Sequence, residues 1–340
     1  MNQTLVTSSH RKIRILGTGH AIPSQTVSSE ELDRRLGHRP GTIQEASGVR
    51  RRHFAARDEN AAMLGAIAAH RAVAAAGLTL SDIDCLVGAS GTMDQAMPSN
   101  AVLMHRELQL SACGVPAFDV GASCLSFLAA IDMLSWPVVA GRYRHVLIVA
   151  SDLASCGLDW DNLESSAIFG DGAAAAVIGP AKEGESSGIL ASGLRTFSDG
   201  ADLCQIPAGG SRHHPSRIDA PFEPLTKFCM DGKGVFKLAA AEMPPFIDSI
   251  LSAADMSFDE FDWIVPHQAS RLANVHLGRR LGFSPDKVVD IFAEHGNQVA
   301  ASLPTALDIS IRDGRIRRGH RVLLLGTGAG LSLGGMVLEY

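Results

Sequence analysis

Residues 74–87 read AAAGLTLSDIDCLV and residues 252–265 read SAADMSFDEFDWIV. In both, a helix end runs into an acidic turn, then an aspartate (Asp84, Asp262), then a run with the composition of a buried strand. Two further pairs follow in the same order. Residues 115–120, with Asp119, match residues 287–291, with Asp290, and residues 145–151 (HVLIVAS) match residues 321–327 (RVLLLGT). Three ordered matches at offsets of 171 to 178 residues describe a duplicated α/β unit. The halves are read as residues 1–180 and 181–340.

Outward from these segments, Val/Ile/Leu-rich runs alternate with Ala-rich helical patterns. Strands are expected at 85–89 and 116–120, and helices at 60–76, 99–108 and 235–251, the last bent or interrupted by Pro244 and Pro245. Residues 182–224 are polar and rich in Gly, Ser, His and Pro, and read as a long connection with one hairpin. The 340 residues are 46% hydrophobic and 19% charged, enough apolar material for a packed core, with 34 glycines against 5% aromatics. A net charge of −6 argues against general nucleic-acid binding. No apolar run reaches the ~18 residues of a membrane span, and the polar first dozen residues lack the pattern of a secretory signal, so a cytoplasmic protein is expected. The six cysteines are scattered without a C-x-x-C pair, which disfavours zinc.

Residues 116–136 (PAFDVGASCLSFLAAIDMLSW) read as strand, tight turn and helix, with Cys124 at the helix start. Unsatisfied N–H groups and the positive end of the helix dipole there are expected to lower the thiol pKa toward neutrality. Read alone, the segment fits a small buried hydrophobe equally well. His267 emerges where Pro266 ends a buried strand, and Asn297 lies in a Gly-Asn turn entering an Ala-rich helix. In open α/β sheets, reactive groups sit beyond the carboxyl ends of strands. A Cys, a His and an Asn at such places in two halves of one duplication form a candidate reactive triad.

The motifs VGASCLSFLAA (120–130), PHQAS (266–270), GNQVAASLPTALD (296–308), FGDGAAAAVIG (169–179) and GTGAGLSLGG (326–335) resemble the β-ketoacyl-ACP synthase III group of the thiolase superfamily, from Ile15 to Tyr340. The resemblance implies a five-layered αβαβα fold of two similar halves and a homodimer. It also implies that Cys124 is the acylated nucleophile, that His267 and Asn297 act on the second substrate, and that the backbone N–H groups of Cys124 and Ala329 form the oxyanion hole. The implied reaction joins an acyl thioester, on coenzyme A or an acyl carrier, to malonyl-ACP with loss of carbon dioxide, in fatty acid or related biosynthesis. It needs no metal or redox cofactor. Met97 and Phe169 are assigned to the acyl pocket, Arg271, Arg279 and Arg280 to docking of the acidic acyl carrier protein, and Lys233 to the pantetheine arm.

The sequence departs from the family where coenzyme A is usually gripped. Thr42 and Ala46 stand where many members have a Trp and an Arg, and Leu163 or Glu164 where a further Arg is common. A carrier-bound donor is therefore an open alternative to coenzyme A. So is an acyltransferase that passes the acyl group from Cys124 to an alcohol or amine. Further basic candidates for docking are Arg50, Arg51 and Arg52 and the run Arg315, Arg317, Arg318. A nucleotide-binding reading of the glycines in GTGHAIPS (17–24) and GTGAG (326–330) lacks a complete G-x-G-x-x-G fingerprint.

Overall fold

Two mixed sheets carry the duplication in a computed structural model that describes residues 6–7, 10–271, 275, 278, 282 and 284–340. The first sheet runs in the order Ile13–Ala21, Gly172–Pro180, Val146–Asp152, Cys85–Gly88, Ala117–Asp119. The second runs Val6–Thr7, Gly188–Thr196, Ser332–Glu339, Arg321–Gly328, Trp263–Pro266, with Val288 bridged in parallel beyond the last strand. With Val6–Thr7 set aside, the plans coincide: antiparallel, antiparallel, parallel, parallel.

The matched sequence segments have physical work in common. The turns Leu80–Asp82 and Phe258–Glu260 both open with a capping box, Thr79 with Asp82 and Ser257 with Glu260. Asp84 then accepts the backbone N–H groups of Arg144 (2.6 Å) and His145 (3.0 Å), and Asp262 accepts that of Arg321 (2.8 Å). Each aspartate thus ties the start of one parallel strand to the start of its neighbour.

Between the sheets lie the helices Ser126–Val139 and Ser302–Arg312, whose apolar faces share one core with residues of both sheets. Ala61–Ala75 and Asn100–Glu107 cover the outer face of the first sheet, and Gly232–Ala254 that of the second. The layers are therefore αβαβα, as expected. The middle helices exchange contacts between halves. Asp132 of the first accepts the hydroxyl of Ser192 in the second sheet, and Asp308 of the second accepts that of Thr18 in the first sheet (2.6 Å). Thr18 and Ser192 hold the same place in the two registers, so this exchange is one contact made twice.

Two expectations are corrected. The connection at 182–224 contains a nine-residue strand, Gly188–Thr196, in the interior of the second sheet, and its Cys204–Gln205 pairs with Cys229–Met230 just beyond it. The strand's GILASGLRT sequence lacks a continuous β-branched run, although most of it is buried. The helix expected at 235–251 runs from Gly232 to Ala254 without interruption at Pro244 and Pro245. Burial of Met243, Phe246, Ile247, Ile250 and Leu251 outweighs the lost backbone hydrogen bonds.

The nucleotide-loop reading also falls, because Gly17 and Gly19 lie inside strand Ile13–Ala21 against helix Ala61–Ala75. A Cβ on Gly17 would meet Ala72 O at 2.5 Å, and one on Gly19 would meet Ala72 N at 2.6 Å. These are sheet-to-helix contacts. Gly17→Val is expected to destabilise the fold by about 1–3 kcal/mol or more, read by thermal melting, since the clash is with helix backbone. An unchanged melting temperature would contradict this packing.

Candidate active site

Cys124 sits in the 3₁₀ turn Ser123–Leu125 that leads into helix Ser126–Val139. Ser123 has φ 52°, a left-handed conformation uncommon for a residue with a Cβ. The Ser126 hydroxyl accepts the Ala122 N–H (2.9 Å) and donates to Ser123 O (2.7 Å), which holds the bend. The second half repeats it. Val299 has φ 53° in the turn Val299–Ala301, and Ser302 Oγ accepts the Gln298 N–H (2.8 Å) before helix Ser302–Arg312. At this offset of 176 residues Cys124 corresponds to Ala300 and Asn297 to Gly121. His267 corresponds to Ala89 by register, at an offset of 178, each donating its N–H at 2.7 Å to the neighbouring strand, at Leu325 and Val149. The reactive side chains are thus places where two equivalent frameworks differ.

The three residues converge. His267 follows strand Trp263–Pro266, and a Cβ on Gly326 would lie 2.8 Å from His267 Cβ and 3.1 Å from Leu125 Cδ2, so one glycine separates the histidine from the Cys124 turn. Asn297 Nδ2 lies 3.3 Å from Ala269 O, and Ala269 N–H returns to His267 O at 2.8 Å. Asn297 Oδ1 accepts the Val299 N–H (2.9 Å), which fixes the amide orientation and leaves Nδ2 as the donating end. Leu158, Phe169 and Val299 form an apolar cluster against which Cys124 and Phe228 pack. Phe169 meets Phe228 edge-on at 5.0 Å.

The electrostatics differ from the expectation for the thiol. Burial, helped by the Asp152 carboxylate, pushes Cys124 up to about 12. The backbone N–H groups of Ala329 and Cys124 are aimed at the sulfur and act the other way, but they do not compensate for lost water. The resting nucleophile is a thiol. His267 is buried, its Nδ1 has no partner among the described residues, and desolvation lowers its pKa to about 4. At neutral pH it is an uncharged imidazole.

The FGDG motif is a socket for the second turn. Asn297 N–H donates to Ile168 O (2.8 Å), Gly170 N–H to Asn297 O (3.1 Å), and Gln298 Nε2 to Asp171 O (3.1 Å). A Cβ on Gly172 would meet the buried Gln298 amide, which accounts for the second glycine.

The remaining assignments divide. Phe169 is beside Cys124, whereas Met97 is 84% exposed and outside that cluster. Lys233 is exposed in the first turn of helix Gly232–Ala254, and Glu164 faces Gly232 in the same neighbourhood. Arg271 is exposed with its stem against Gly48, and lines a cavity of about 310 Å³ with Gln44, Arg50, Asp290 and Phe292. Arg279 and Arg280 lie outside the described residues. Arg52 is not a docking residue. It is fully buried, donates to the carbonyls of Ala167 and Phe169 and to Ser29 Oγ, and burial lowers its pKa to about 10. Arg50 and Arg51 both pair with Glu294. Asp152, Gly91, Leu158, Val299 and Phe228 escaped the sequence reading; the 176-residue offset that aligns Ser126 with Ser302 and Asp132 with Asp308 would have exposed the second turn.

Two family models match: 3-Oxoacyl-[acyl-carrier-protein (ACP)] synthase III over residues 118–200, around Cys124, and its C-terminal counterpart over residues 251–340, around His267 and Asn297. A beta-ketoacyl-[acyl-carrier-protein] synthase III of Neisseria meningitidis serogroup B is 35% identical, with 96% of this chain and 99% of the relative covered. The solved 3-oxoacyl-(acyl carrier protein) synthase III of Pseudomonas aeruginosa PAO1 is 32% identical with TM-score 0.86, covering 97% and 98% of the two chains. That of Aquifex aeolicus VF5 is 27% identical with the same TM-score, covering 96% and 100%. Agreement of this extent, in sequence and in fold, makes the chain a member of the β-ketoacyl-ACP synthase III family, the condensing enzymes that serve fatty acid biosynthesis.

Proposed function

We propose that this chain takes an acyl group onto Cys124 and condenses it with malonyl-ACP. The observation that carries the reading is the meeting of a buried thiol, a neutral histidine and an oriented amide where the two halves differ. Cys124 Sγ attacks the thioester carbonyl as His267 takes the thiol proton, and the N–H groups of Cys124 and Ala329 receive the oxyanion. The leaving thiolate recovers that proton. Malonyl thioester then loses carbon dioxide, and the electron pair of the broken bond forms an enolate whose oxygen accepts hydrogen bonds from His267 and Asn297 Nδ2. The enolate carbon attacks the acyl carbonyl, the Cys124 thiolate leaves, and it takes one proton from solvent to return to the resting thiol. These steps call for no metal or redox cofactor, because every charge that develops meets a donor supplied by the chain.

Leu158, Phe169, Val299 and Phe228 would wall the acyl chain. The carboxylate of Glu164 and the absence of a flat or cationic side chain at Thr42 and Ala46 favour a carrier-bound donor, with Arg271 toward the acidic carrier and Lys233 toward the pantetheine phosphate. Residues 1–180 and 181–340 act as two halves of one catalyst. The edge strand Ala117–Asp119 exposes Phe118, and Met93, Met97 and Val102 lie exposed nearby in sequence, an arrangement suited to a homodimer in which Met97 reaches the neighbouring acyl pocket. Among the described residues no helix is long and apolar enough to cross a membrane, and the reading places the enzyme in the cytoplasm with its thioester substrates.

The pH profile tests the base. Falling pH protonates His267 and removes the acceptor for the thiol proton, so acyl-enzyme formation in single turnovers should keep its rate through the ordinary histidine range and fall only toward about 4. An acid limb centred near the unperturbed ~6.5 would contradict the assignment.

A further inference from the structure

Asp152 ends strand Val146–Asp152, is fully buried and has no role in the chemistry above. Its counterpart in the second half is Gly328, so no carboxylate repeats it. Oδ1 accepts three donors: Gly91 N–H (2.7 Å), Thr92 N–H (2.7 Å) and Thr92 Oγ1 (3.0 Å). Oδ2 accepts the Ala301 N–H (3.1 Å) of the Asn297 turn. The loop it holds touches both turns. Ser90 O shares the Ser126 hydroxyl proton with Ser123 O (3.0 and 2.7 Å), and a Cβ on Gly91 would lie 2.5 Å from Val299 Cγ1 and 3.3 Å from Ser123 O. One path of hydrogen bonds therefore runs from Ser126 through the 90–92 loop and the carboxylate to Ala301.

We propose that Asp152 is the positioning residue that fixes the distance between the Cys124 turn and the Asn297 turn, so that the malonyl-derived carbanion forms within reach of the acyl carbonyl. The inference rests on the function proposed above. It also separates the two oxygens by task, one holding the loop and one holding the second turn. Asp152→Asn exploits that division. An amide that keeps its oxygen toward the three donors turns Nδ2 toward the Ala301 N–H, donor against donor, and releases only the second turn.

The test compares wild type, Asp152→Asn and Thr92→Val in two steps: acylation of Cys124 by an acyl thioester, followed by intact-protein mass, and carbon dioxide release from malonyl-ACP. For Asp152→Asn, acylation is expected within about threefold of wild type. Decarboxylation should be lower by on the order of 10- to 100-fold, the cost of a small misplacement of reacting groups. Removing the carboxylate should also move iodoacetamide alkylation of Cys124 to lower pH, while the unequal loss of the two steps is what distinguishes positioning from loosened packing. Thr92→Val keeps the carboxyl group but removes one of the donors that hold its pKa down, so it should slow decarboxylation more than acylation, and it decides the matter if the Asn variant does not fold. Wild-type condensation rates in the variants would overturn the proposal, as would equal loss of both steps. A wild-type protein that neither acylates nor releases carbon dioxide would overturn the proposed function itself, and the inference with it.

Discussion

Cys124→Ala is expected to remove the acyl-enzyme and to lower 3-oxoacyl product formation by at least ~10³-fold, because no other group can hold the acyl chain covalently. The substitution should leave the fold intact. Ala300 already occupies the corresponding place in the second half, in a turn with the same left-handed entry and the same serine bracket. Asn297→Ala separates the steps. It removes one of two enolate donors and should slow decarboxylation by ~10²–10³-fold, the usual cost of losing one oxyanion donor, while Cys124 still acylates. His267→Ala should impair both steps, as base in the first and donor in the second. These outcomes are read by intact-protein mass for the acyl adduct and by carbon dioxide release. An Asn297→Ala variant that loses acylation and condensation equally would mean that the amide shapes the site rather than serving the enolate.

Asp132→Ala is expected to have the largest effect on stability. The Arg11 guanidinium is fully buried and donates to Asp132 Oδ1 (2.7 Å), Asp132 O (2.8 Å), Ser135 Oγ (2.8 Å) and Ser192 Oγ, with Trp136 beneath it at 5.0 Å. Removing the carboxylate leaves a buried cation with neutral partners only, at a cost of about 3–5 kcal/mol. The loss should appear as a fall of several degrees in melting temperature. The double variant Arg11→Met, Asp132→Leu should recover most of it, because no charge is then left unpaired. No change on Asp132→Ala would show that the exchanged aspartate contacts between the middle helices do not hold the halves together.

The architecture was legible because it was written twice. Asp84 and Asp262 recur since each pins a parallel strand to its neighbour, and the Thr79 and Ser257 capping boxes recur since each ends a helix-to-strand turn. The strand Gly188–Thr196 was not legible. Most of it is buried, but its glycines, alanine and serine look like a loop at the level of sequence. Cys124 and His267 could be read because each follows a strand end, and Asn297 because it lies in a Gly-Asn turn before an Ala-rich helix, and the structure brings them together. The thiol's protonation could not. A helix start suggests a lowered pKa, but the sign is decided by burial and by Asp152, which lies 28 residues further along the chain. Asp152 itself was invisible for the same reason: its partners at Gly91, Thr92 and Ala301 are local to it only in three dimensions.

If one chain couples acylation of Cys124 to decarboxylation of a malonyl thioester, both steps appear in a single reaction. The most direct measurement adds an acyl-CoA or acyl-carrier donor and then carboxyl-labelled malonyl-ACP to the purified protein. It follows the intact mass, the site of the adduct and the release of labelled carbon dioxide in one reaction. The account predicts an acyl adduct on Cys124 that disappears on addition of malonyl-ACP, with one carbon dioxide released and one 3-oxoacyl-ACP formed for each adduct consumed. An adduct that persists without carbon dioxide release, or that passes instead to an alcohol or amine, would contradict it.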